Sequence, residues 1–149
     1  MWETVWEPLV FDYIRQCDSL LAMVYVHDVR WKVSPRVRAF IQSTREAGLP
    51  VLLVLSKDDR LLTELKPSKA GEREAEHLLR LSYTKRVRRA MAFEGVHVHY
   101  STDSSLTQGR NGRRTVLRHI ESFVKAGSRD GVASLLEAIA AKQNKQSLQ

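Results

Sequence analysis

The tetrapeptide Ser56-Lys57-Asp58-Asp59 stands directly behind an unbroken apolar run, Val51–Leu55. It offers a small hydroxyl, a lysine and, two residues on, a carboxylate. A carboxylate is the one side chain that accepts from both the ring N–H and the exocyclic amine of guanine, and this charge-assisted pair rejects adenine. A lysine stem lies over the base plane, and a small polar residue ties such a loop to its neighbours. The same four residues also suit a solvated strand-to-helix loop. A second set, His97, His99 and His119 with Asp103, has metal-ligating side chains. Alternating histidines of one strand point the same way, however, and read more simply as surface residues of an edge strand. Trp2, Trp6 and Trp31 are all able to stack on bases, but the first two, at helical spacing, read as core, as does Cys17.

These residues need elements to hold them. Trp2, Trp6, Leu9, Val10, Tyr13, Ile14 and Cys17 recur at helical spacing and predict an amphipathic helix over 2–17. Leu20–Val26 is a continuous apolar run ending at His27-Asp28, too uniform for a strand with one wet face, and predicts a central strand. Ser34-Pro35 is a cap followed by a first-turn proline. Val37, Phe40, Ile41 and Thr44 continue at helical spacing to Gly48, and Pro50 then releases Val51–Leu55. Two buried strands joined by such a helix form a right-handed βαβ unit with a parallel sheet. A long basic helix is predicted over 68–92. A third strand follows at Val96, Val98 and Tyr100, nearer an edge because His97 and His99 make its other face polar. After a loop at 101–111 come a basic helix over 112–125, a last helix over 130–142 and a frayed tail, 143–149. The fold class is α/β, with a mainly parallel sheet flanked by helices in three layers. Ligands of such sheets sit outside the carboxyl ends of the strands, where His27-Asp28, Ser56–Asp59 and Ser101-Thr102-Asp103 fall.

Composition bounds the function classes. The 149 residues carry 24 Lys+Arg against 17 Asp+Glu, a net charge of +7, which favours contact with a polyanion. The single cysteine excludes an internal disulfide or a zinc cage of cysteines. Neither long apolar run approaches the ~20 residues of a membrane span, so no membrane partner is expected. The first residues show neither a secretory nor a transit-peptide pattern.

In order along the chain, Trp2, Tyr13-Ile14, Leu20-Leu21, Val26-His27-Asp28-Val29-Arg30, Gly48-Leu49-Pro50 and Ser56-Lys57-Asp58-Asp59 closely resemble the second half of EngB (YihA)-type GTPases. There a tryptophan-bearing helix precedes a strand ending in Asp-x-Arg, followed by a helix, a Gly-hydrophobic-Pro turn and the guanine-reading Lys-x-Asp loop. The resemblance resumes at Tyr100-Ser101-Thr102 and at the closing helix, Gly131–Ile139. It implies a partial P-loop-GTPase-like domain over 1–142 that acts in assembly of the large ribosomal subunit. It also implies that Asp59 reads guanine, Lys57 covers the ring, Ser56 stands where the family has Thr or Asn, and Ser101 and Thr102 offer backbone N–H groups to the guanine carbonyl. Asp28 is implied to be structural.

Two departures shape the expected function. None of the seven glycines opens a G-x-x-x-x-G-K-[ST] loop, so nothing cradles the β- and γ-phosphates of GTP or GDP or holds Mg²⁺. The resemblance therefore implies a chain without catalysis of its own, which is either part of a longer GTPase or a degenerate relative. Residues 104–129 form an insertion relative to the family, with Arg110, Arg113, Arg114, Arg118, Lys125 and Arg129 against Glu121 alone, or +5 of the chain's +7. Arg110, Arg113, Arg114 and Arg118, with Lys85, Arg86, Arg88 and Arg89 of the long helix, are the expected contacts to ribosomal RNA beside ribosomal proteins. The alternative is a non-enzymatic RNA-binding scaffold, a pseudo-GTPase. An arginine-rich arm on an assembly factor of bacterial type fits the mitochondrial matrix, with the cytoplasm as the alternative.

Overall fold

A computed structural model of the chain describes residues 2–57, 72–100 and 112–146. After a π-helical stretch, Trp2–Trp6, the elements are α1 (Glu7–Gln16), β1 (Met23–Asp28), α2 (Pro35–Glu46), β2 (Val51–Ser56), α3 (Glu72–Met91), β3 (His97–Tyr100), α4 (Arg113–Ala126) and α5 (Arg129–Gln146). The strands form one parallel sheet in the order β1-β2-β3. Because both crossovers advance in the same direction and are right-handed, α2 and α3 fall on one face.

The alternation along β2 divides the core. Val51, Leu53 and Leu55 point to the face where Ile41 of α2 and Tyr83, Val87 and Met91 of α3 cover them. Leu52 and Val54 point to the other face with Val96 and Val98, under Phe123 of α4 and Val132 and Leu136 of α5. The sheet is therefore sandwiched between two helical layers, as the buried run of β2 requires. The expectation of a central strand at Leu20–Val26 is not met: β1 starts at Met23 and is an outer strand paired on one edge alone, which leaves Val26 58% exposed. Ser34 caps α2 as expected, its hydroxyl accepting from the Val37 N–H at 3.3 Å.

The first helix departs from the expectation. The sequence expects its apolar stripe in the core, yet Trp6 is 53% exposed, Leu9 and Tyr13 are also exposed, and Ile14 is its only buried residue among those described. α1 precedes the outer strand β1 and meets the body through Ile14 and the Phe11–Phe40 ring contact at 5.4 Å, so its stripe faces outward. Cys17 is half-buried rather than core, with Sγ 3.2 Å from Ser19 Oγ.

What fixes α1 is Arg129, at the far end of the chain. Its guanidinium donates from Nη2 to the carbonyls of Ile14 and Cys17, both at 2.8 Å, and from Nε to that of Leu20 at 2.9 Å. A planar fork of donors reaches several carbonyls at once, here that of Ile14 in the last turn of α1 and two in the segment that follows it. Arg129 is therefore structural, not part of an RNA-facing arm. The closing helix also runs on to Gln146, past the expected end at Lys142, because Gln143 Nε2 donates to the His97 carbonyl at 3.0 Å and ties that turn to the sheet. No helix among the described residues is long and apolar enough to cross a membrane.

Replacing Arg129 by Ala is expected to destabilise the fold by about 2–3 kcal/mol, since three hydrogen bonds from a charged donor to carbonyls are lost. Lysine restores only part of this, because one ammonium does not span three acceptors. Urea unfolding of the two variants measures both effects.

Candidate functional site

The carboxyl ends of the three strands are level. Asp28 pairs with Ser56 in register, and Ser56 with Tyr100. Ser56 Oγ donates to the His27 carbonyl at 3.1 Å and the Val29 N–H donates back to the Ser56 carbonyl at 3.1 Å. This is the tie to a neighbouring strand that a small polar residue makes at such a position. Asp59, Ser101, Thr102 and Arg110 lie outside the described residues.

Asp28 organises this edge. One carboxylate takes Arg30 Nη2 at 2.6 Å and Nε at 3.0 Å, the Arg30 backbone N–H at 3.0 Å, and the Lys57 ammonium at 3.0 Å. The Arg30 hydrogen bonds, with the smaller help of Lys57, hold the carboxyl far below the ordinary carboxylate range even though partial burial opposes them. Lys57 thus engages Asp28, while the sequence reading sets its stem over a base. Its backbone is left-handed, with φ +59. That region costs a residue with a Cβ about 1–2 kcal/mol, and the ion pair to Asp28 opposes that strain.

The loop after β1 is equally fixed. The Trp31 N–H donates to the Asp28 carbonyl at 3.0 Å, and the His27 ring donates from Nε2 to the Trp31 carbonyl at 3.1 Å. His27 is buried, and burial lowers its pKa against the opposing effects of Trp31 and Asp28.

The predicted basic residues divide between the two ends of the sheet. Gly112, at φ +77, brings the start of α4 against β3 so closely that a Cβ there would lie 1.9 Å from the His99 carbonyl oxygen. Arg113 and Arg114 therefore begin at the carboxyl edge, and Arg118 is one turn further on, all exposed. By contrast α3 runs back against the strands. Its Lys85, Arg88 and Arg89 line a cleft of about 440 Å³ with Phe93 and Glu94, residues that precede β3 at the amino end of the sheet. Arg86 lies over the Tyr83 ring at 5.2 Å.

The histidines of β3 differ from the reading as edge-strand surface groups. Both lie half-buried beneath α3, because Leu53 and Leu55, their partners in register, face that layer. Thr84 donates its one hydroxyl proton to the Arg80 carbonyl at 2.7 Å, so His99 Nε2, 3.0 Å away, is the donor to Thr84. Burial, then His99 and Arg88, lower His97 to about 4. Among the described residues, no group of three His, Cys, Asp or Glu is arranged to hold a metal ion.

Sequence reasoning marked Asp28 and Arg30 by their spacing but missed Arg129, whose partners are backbone carbonyls more than a hundred residues away. A carboxylate with a lowered folded-state pKa adds stability that is complete above its unfolded value near ~4 and is lost as pH falls toward the folded value. The stability gap between wild type and Asp28→Asn is therefore expected to be constant from neutral pH to about 4 and to close below it, as acid-titrated thermal unfolding will record. Comparison with models of known families and with curated proteins gives no match to this chain.

Proposed function

We propose that this chain is an EngB-like guanine-nucleotide-binding domain that docks on RNA of a large-ribosomal-subunit assembly intermediate, alongside ribosomal proteins, and does no catalysis by itself. The single observation that carries the reading is the register. Because Ser56 pairs with both Asp28 and Tyr100, β2 and β3 end at the same level, on the edge where α/β sheets bind ligands, and in sequence Lys57-x-Asp59 follows the one and Ser101-Thr102 the other. The sequence resemblance supplies the family and its partners. The exposed arginines at the start of α4, on that same edge, support the RNA partner. An arm of this kind suits a mitochondrial ribosome.

One observation favours a second reading, the non-enzymatic scaffold. The Lys57 ammonium is engaged by Asp28 at 3.0 Å, and the sequence has no Walker loop for phosphates or Mg²⁺. In that reading the basic surfaces act and the guanine loop is a relic.

Titration calorimetry separates the two. The guanine reading expects GDP to bind weakly but better than ADP, no GTP hydrolysis above background, and loss of GDP binding in Asp59→Ala. Equal affinity for ADP, or no nucleotide binding, leaves the scaffold. The RNA partner is tested by salt: each phosphate contact steepens the fall of log affinity with log salt by roughly 0.7–0.9. Replacing Arg110, Arg113 and Arg114 together by Ala is expected to flatten that slope and weaken binding to ribosomal RNA without loss of fold. An unchanged slope moves the RNA contact to the cleft at Lys85, Arg88 and Arg89.

A further inference from the structure

Trp31 is 68% exposed, more than any other large hydrophobic side chain among the described residues. An indole in water forgoes one of the largest available gains from burial, so its position calls for a reason. Flexibility does not supply one, because its N–H and carbonyl are both fixed, to Asp28 and to the buried His27 ring. The ring is thus presented from a rigid turn at the carboxyl end of β1.

Its surroundings are cationic. Arg30 and Lys32 flank it, Arg36 follows at the start of α2, and no acid occurs between Val29 and Arg45. Lys32 and Arg36 are exposed. Arg30 and Lys57 share the single carboxylate of Asp28 and keep about half of their side chains in solvent, so the cluster retains net positive charge. An apolar partner surface would leave these cations nothing to pair with. A polyanion with aromatic faces satisfies both features at once: bases stack on aromatic side chains while cations follow the backbone, as in single-stranded nucleic-acid sites.

We propose that Trp31 is a stacking platform for an unpaired RNA base, with Arg30 and Lys32 meeting the adjoining phosphates. This rests on the RNA-docking reading above and adds that the RNA is single-stranded at the contact. Both sets of cations, around Trp31 and at Arg113-Arg114, stand at the carboxyl edge of the sheet, one after β1 and the other beside the end of β3.

The test uses the full chain and a short mixed-sequence oligoribonucleotide, with the same oligomer lacking its bases as control. Trp31→Ala is expected to weaken binding of the normal oligomer about tenfold, leave the salt slope unchanged, and bind the abasic oligomer as wild type does. Trp31→Phe is expected to keep most of the affinity. Unfolding curves of both variants should match wild type, because the ring is exposed. Equal affinity of Trp31→Ala and wild type for the normal oligomer overturns the platform while the arginine-dependent RNA binding stands. Absence of RNA binding by wild type overturns the platform and the RNA-docking reading together. Unaltered RNA binding with lost association to a ribosomal protein assigns Trp31 to a protein contact instead.

Discussion

A strand whose backbone pairs along both edges and whose side chains are buried on both faces needs neighbours in four directions, and β2 has all four. β1 and β3 take its edges in parallel register, α2 and α3 cover Leu53 and Leu55, and α4 and α5 cover Leu52 and Val54. Parallel pairing requires long crossovers, and right-handedness places both on one face. The second face must then be closed by chain that follows the sheet. That is why α4 and α5 come last, and why α5 reaches back to the sheet through Gln143.

The same arrangement creates the candidate site. Strands in parallel all end at one edge, so residues far apart in sequence arrive together there without any further device. Asp28 then holds two cations together at the β1 and β2 ends, and Ser56 ties the two loops through the His27 carbonyl. The left-handed Lys57 and the rigid turn at Trp31 both lean on this one carboxylate or its neighbours. Electrostatics at the edge is therefore a local network rather than a field of free charges. The other basic cluster, on α3, is carried to the opposite end because a crossover helix runs against its strands.

A chain of this kind separates two uses of arginine that composition alone merges. Arg129 is as cationic as Arg113, yet it is committed to three backbone carbonyls and fastens the first helix to the last. Residues 104–129 are therefore not a single basic arm, since the charge of Arg129 is committed inside the fold. The exposed stripe of α1 has the same lesson for apolar residues: helical periodicity identifies a face, and only the positions of the other elements decide whether anything covers it.

The sequence by itself determined the element types, because apolar period and caps are local signals. Val51–Leu55 had to be a buried strand, Ser34-Pro35 had to start a helix, and the parallel α/β class followed from strands joined by helices. It also marked Ser56-Lys57 and the Asp28-x-Arg30 spacing, since those chemistries are contiguous in the chain. Tertiary structure alone decided that the β3 histidines lie under α3, that Arg129 caps α1, that Lys57 pairs with Asp28, and that the two basic clusters stand at opposite ends of the sheet. Each of these depends on which residues meet across tens of positions. Such meetings are set by strand order, register and crossover direction, quantities that no local pattern encodes.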